Sequence, residues 1–240
     1  QAKFYSYCHR PTFKQNKQVK IPSKKFNQSS VFYLFRSTSK DIGIMGFNEL
    51  NSVEHYIIHQ LSGVNLNRNV VRDPGVGYGA QWIYKTSDGI QRGVNEVLVE
   101  SGLKAALIRL NPEIAANNSL ADEVIYKLRA VLIAVNQVGL VKANEEFFKW
   151  MTGEKTMPFG ENNRHVPVCL IDFEDLSRNS YIVTNQYRIH HRETKIPDIV
   201  LMINGIPVVV GEAKTPIRPS VSWLDGAHEI HDIYENSVPQ

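Results

Sequence analysis

Cysteine is scarce in this chain: Cys8 and Cys169 are the two among 240 residues, far apart and in no metal-ligand spacing. That excludes a disulfide scaffold and a Cys-x-x-Cys zinc site, and reduced thiols in a cytoplasmic protein are the expectation. Long apolar runs are missing too, so nothing approaches a membrane span, and no signal peptide opens the sequence. Nucleotide-binding loops are also lacking. The alternating glycines of DPGVGYG at residues 73–79 are not followed by Lys-Ser/Thr, and Gly153-Glu154-Lys155-Thr156 lacks a Gly-Lys pair. This segment is therefore not expected to bind ATP. Acidic residues are absent from residues 1–40, which hold nine of the 27 Lys/Arg and none of the 24 Asp/Glu, leaving 18 against 24 over residues 41–240. A basic arm (1–45) thus precedes a mildly acidic body (46–240).

The body has the 42% hydrophobic and 21% charged content of an ordinary globular domain, enough for one substantial core. In the arm, Phe4, Tyr5, Tyr7 and Phe13 interleave with Lys3, Arg10 and Lys14. That mixture suits either nucleic-acid contact by stacking and phosphate pairing or an extended arm packed on its own protein. Helical spacing of apolar residues predicts helices near 51–62, 94–111, 120–135 (capped by Ser119) and 143–152. Val53, Ile57, Ile58 and Leu61 form the inner face of the first, with Asn51 and Glu54 in capping-box spacing and Gly63 as its stop. The pattern then switches to strands at 166–172 and 181–191. His190, His191 and Arg192 at the end of the second are surface residues or phosphate contacts, with no third ligand to make a zinc site.

The informative stretch is Ile196 to Lys214. Two β-rich runs flank Asn204-Gly205, a strong hairpin signal, and they are apolar at nearly every position, as a hairpin buried on both faces in mid-sheet would be. Within them stand Asp198, Glu212 and Lys214. Burying charge is costly unless it is paired or binds metal. Two carboxylates at a strand end make a hard oxygen site suited to Mg2+ or Mn2+, and a lysine two residues on can serve a phosphoryl centre. Alternatively, Glu212 and Lys214 pair with each other and Asp198 caps a turn. Register discriminates between these readings. A two-residue loop at Asn204-Gly205 makes Ile203 face Ile206 and turns Asp198 away from Glu212. A three-residue loop, or a bulge at Gly211, puts all three groups on one face. One of the latter two is expected, and a regular two-residue hairpin counts against the site.

Pro197-Asp198, a hairpin, then Glu212-Ala213-Lys214 resembles the motif of the PD-(D/E)XK nucleases. PDIVLMINGIPVVVGEAKTP, with NQYRIHH (185–191) and VCLIDFEDLSRNSY (168–181) before it, is similar to the nuclease domain of type I restriction R (HsdR) subunits, over roughly residues 50–240. The resemblance implies an α/β fold with a restriction-endonuclease-like core, a central mixed sheet flanked by helices. It implies catalysis by Asp198, Glu212 and Lys214, with Asp198 and Glu212 holding the metal. It further implies a longer polypeptide with ATP-driven motor domains, double-stranded DNA as substrate, and methyltransferase (M) and specificity (S) subunits as partners. In that superfamily an early-helix acid often joins the metal site, and Glu54 is the position resembling it, beside its capping role. A glutamine and a tyrosine often lie on the helix after the lysine. Tyr234 fits, but Ile230 stands where the glutamine would, with Glu229 beside it. A stand-alone repair or junction nuclease, and a non-catalytic DNA-binding or docking module, are the alternatives.

Overall fold

The computed structural model describes residues 53–66, 82–214 and 222–237. The basic arm, the boundary after residue 45, Asn51 and the glycine-rich 73–79 lie outside these residues. Helix α1 (His55–Ser62) ends at Gly63, whose φ of 72° provides the left-handed stop anticipated there. A short strand β1 (Ile83–Tyr84) follows within a segment whose sequence reads as loop, because two residues carry no periodicity. Four helices come next: α2 (Glu100–Leu110), α3 (Pro112–Ala116), α4 (Leu120–Val138) and α5 (Leu140–Met151). Asn111-Pro112 breaks α2 from α3 as expected, with proline opening the new helix. Ser119 stands at the N-cap position of α4 but does not cap it with its side chain. It is itself helical and makes no capping bond, its hydroxyl donating instead to Asn117 Oδ1. None of these helices is long and apolar enough to cross a membrane, among the described residues.

The expected strand at 166–172 shrinks to β3 (Val166–Pro167), paired with β2 (Thr156–Met157) in a separate ribbon. Side chains take the ladder's place beyond it: Asn111 Oδ1 accepts from the Cys169 N–H, and Asn179 Oδ1 from that of Asp172. The expected strand at 181–191 is likewise cut. β4 (Tyr181–Asn185) stops at Gln186, whose φ of 51° is left-handed, and β5 (Ile189–His190) then turns back on β6 (Thr194–Lys195). The hairpin expected around Asn204-Gly205 is β7 (Ile199–Ile203) and β8 (Ile206–Gly211). After it come α6 (Trp223–His228), a π-helical turn (Glu229–Tyr234) and α7 (Glu235–Ser237).

The main sheet runs β1-β4-β7-β8, with β1 parallel to β4 and the other pairs antiparallel, so the molecule is α/β with a mixed sheet. β7 is interior, and its alternation supplies both layers. Ile199 and Leu201 pack with Ile58 of α1 and Val183, whereas Val200 and Met202 pack with Ile90, Val99 and Tyr187. The hairpin is not wholly mid-sheet, however. β8 is the edge strand among the described residues, where the missing N–H of Pro207 is tolerated. A third cluster joins Leu103 and Leu107 of α2 to Val124 and Leu128 of α4, and to Leu170 and Ile206.

Candidate active site

Hairpin geometry decides whether the three charged groups can meet. Ile203 faces Ile206, and Asn204 and Gly205 have φ of 53° and 80°, so the loop has two residues and the mirror-image turn suited to a twisted hairpin. The three-residue loop is therefore corrected. The hairpin is not regular, because the register shifts between Leu201 and Met202: Met202 faces Pro207, but Leu201 faces Val209. Val208 is the extra residue, so the rescuing bulge lies mid-strand rather than at Gly211. From there Val200 faces Val210 and Ile199 faces Gly211. One more step sets Asp198 opposite Glu212.

A hub missed by the sequence reading holds this turn. Asn204 is fully buried and makes far more bonds than a turn residue needs. Its Oδ1 accepts from Arg109 Nη2 at 3.0 Å and the Ser180 N–H at 2.8 Å, and its Nδ2 donates to Leu170 O and Asn179 Oδ1, both at 2.8 Å. Gly205 donates no side chain because it has no room for one. A Cβ there would stand 2.4 Å from Val99 O and 2.8 Å from Leu103 N, where the start of α2 rests on the turn.

At the open end of the hairpin the charges converge. Asp198 Oδ2 accepts the Ala213 N–H at 2.7 Å. The Glu212 side chain is 5% exposed and accepts a hydrogen bond from the Tyr234 hydroxyl. Lys214 Nζ lies 2.9 Å from Glu229 and 3.6 Å from Glu212, so Glu229 is its nearer partner. Glu229 and Tyr234 are five residues apart. An α-helix would splay them, but the π-helical turn carries both to the same end of the hairpin.

Glu54, buried to 2% exposure, joins from the start of α1. Asn185 Nδ2 donates to it at 3.3 Å, and Gln186 Nε2 donates to both its oxygens at 3.0 Å and to Asp198 Oδ1 at 3.3 Å. Glu54 thus faces the candidate site. The left-handed bend at Gln186 that ends β4 is what delivers this amide. Asn185 and Gln186 stand in the NQYRIHH segment, but their spacing carried no catalytic signal. His190 and Arg192 bond elsewhere: His190 Nδ1 bonds Thr194, and Arg192 donates to the carbonyls of Asn236 and Ser237.

Electrostatics follow from four acids and one lysine. Burial, the facing Asp198 and Glu229 push the Glu212 carboxyl up to about 8, against the opposing effect of the Tyr234 bond. Burial also raises Glu54, partly offset by Gln186. Burial pulls the Lys214 ammonium down, but Glu229, Glu212 and Asp198 outweigh it, and its pKa ends above the ordinary value. Carboxylates this short of positive charge fit a cation. Among the described residues no three His, Cys, Asp or Glu side chains converge as a ready-made metal cage. Two carboxylates with remaining positions left to water and phosphate match how Mg2+ is usually held.

A family model described as the type I restriction enzyme R protein N terminus matches residues 77–240. The type I restriction enzyme HindI endonuclease subunit of Haemophilus influenzae is 28% identical over 195 residues, 79% of this chain and 17% of that protein. The putative type I restriction enzyme MjaIXP endonuclease subunit of Methanocaldococcus jannaschii is 27% identical over 130 residues, 52% of this chain and 12% of that protein. The chain therefore matches only a small share of the length of these relatives. No solved structure matches.

Proposed function

This chain belongs to the family of type I restriction enzyme R protein N termini, and on that premise we propose that it is a Mg2+- or Mn2+-dependent endonuclease domain with a PD-(D/E)XK core. The observation that carries the reading is the bulge at Val208, which sets Asp198 opposite Glu212 at the open end of the hairpin. Asp198 and Glu212 would hold the divalent ion, which when bound would acidify a water and offset charge on the phosphate. The Ala213 N–H fixes one Asp198 oxygen, and the Tyr234 hydroxyl orients Glu212 and favours its ionised form. Lys214 stays protonated through Glu229 and donates to the scissile phosphate. Glu229 takes the place of the family's glutamine as the nearby polar group of the last helix, with Ile230 beside it.

The substrate is double-stranded DNA, gripped mainly through its phosphates. Residues 1–45 act as a separate basic arm, and residues 46–240 form the nuclease domain of a longer subunit whose motor domains bind ATP. Methyltransferase and specificity subunits would direct this assembly to unmethylated foreign DNA.

Calorimetry with Mn2+ on the full chain, beside plasmid nicking, tests the core of this reading. Asp198→Ala and Glu212→Ala should each weaken binding at least tenfold, whereas Lys214→Ala should bind normally and lose cleavage by about 100-fold or more. Wild-type affinity retained in both carboxylate variants would sink the assignment.

A further inference from the structure

We infer that Gln186 is a neutral stand-in for a second cation, so that the site holds one divalent ion, at Asp198 and Glu212, and not two. The inference rests on the metal-dependent reading above. Gln186 Nε2 occupies the gap between two acids, 3.0 Å from both Glu54 oxygens and 3.3 Å from Asp198 Oδ1. Three carboxylate oxygens around one point is an arrangement that a cation ordinarily serves. Here an amide with two N–H donors serves it without carrying charge.

Three further observations point the same way. Glu54 is 2% exposed, and no lysine or arginine pairs with it among the described residues; its remaining side-chain donor is the neutral Asn185 amide. Neutral amides are thus its main support, with the neighbouring His55 a lesser positive influence. Gln186 also adopts φ of 51°, a conformation that glycine or asparagine enters more readily, yet it carries the side chain that reaches both acids. Finally, the Gln186 N–H donates to Asp198 O at 3.1 Å, so one residue holds Asp198 through both backbone and side chain. Gln186 is a positioning residue in this scheme. It keeps Glu54 beside Asp198 while occupying the place a second ion would take.

Removing the amide should open that place. Gln186→Gly deletes the side chain and relaxes the left-handed backbone, so folding should survive. Mn2+ titration of the full chain by calorimetry should give one ion per wild-type chain and two per Gln186→Gly chain. Spin coupling between the two ions should appear in the electron paramagnetic resonance spectrum. Adding Glu54→Gln to Gln186→Gly should return the count to one. Gln186→Glu, which turns the donor into an acceptor at nearly constant length, should also bind two and serves if the glycine variant unfolds. One ion in both variants overturns the inference and leaves the nuclease reading intact, as do two ions in the wild type. No ion in the wild type overturns the nuclease reading, and the inference with it.

Discussion

Glu212 is a carboxylate surrounded by other carboxylates and largely withdrawn from water, and its protonation therefore couples to folding. Its folded-state value is raised from 4.5 to about 8. Between those limits the folded chain keeps a proton that the unfolded chain releases. The associated stability is complete below about 4.5 and is lost as pH rises towards 8. In chelator, the melting temperature should fall across that window, by an amount on the order of a few kcal/mol in stability. Glu212→Gln should flatten the profile. Metal affinity should run oppositely, rising with pH, because the ligand must lose its proton to bind. A flat wild-type melting profile would show that this carboxyl is already ionised. Nothing in the sequence reveals such a shift, since it arises first from burial in the fold and then from Asp198 and Glu229, respectively 14 and 17 positions away in the chain.

Two devices act at the scale of elements. The first is the bulge. Inserting one alanine between Val209 and Val210 should move Gly211 opposite Asp198, which turns Glu212 and Lys214 to the other face. The variant should fold, and Mn2+ binding by calorimetry should be lost; retained binding would show that register does not build the site. The second is the seat of the turn under α2. Gly205→Ala would drive a methyl group against Val99 O and Leu103 N, both backbone atoms that cannot swing aside. Urea denaturation should show a loss of roughly 3 kcal/mol or more, the range of severe overpacking at a left-handed position. The hairpin itself was legible in Asn204-Gly205 and its apolar flanks. Its loop length was not, because Ile203 and Ile206 look the same in either register, and Val208 is one more apolar residue among several.

At the scale of the whole molecule, a chain that matches 17% of a larger relative and acts as the proposed nuclease domain should answer to the rest of the proposed subunit. In the intact subunit assembled with its partner subunits, Asp198→Ala should abolish DNA cleavage and leave ATP hydrolysis within about twofold of wild type. An equal loss of both activities would place Asp198 in folding or assembly rather than in the cut. The mildly acidic charge of residues 41–240 fits the proposed division of labour, in which basic surfaces elsewhere would hold the DNA.

By itself the sequence determined the α/β class, the helices near 94–111, 120–135 and 143–152, the hairpin at Asn204-Gly205, and the stranding of Asp198, Glu212 and Lys214 in an apolar run. Periodicity, an Asn-Gly turn and charges stranded in an apolar run are local signals, readable over a few residues. The tertiary structure alone decided where those groups meet. The register depends on how β7 and β8 pair, the partner of Lys214 on a π-helical turn 15 residues away, and the amide between Glu54 and Asp198 on a strand end meeting a helix start 132 positions distant. Such contacts are made by packing forces that act through space, so the order of residues along the chain does not record them.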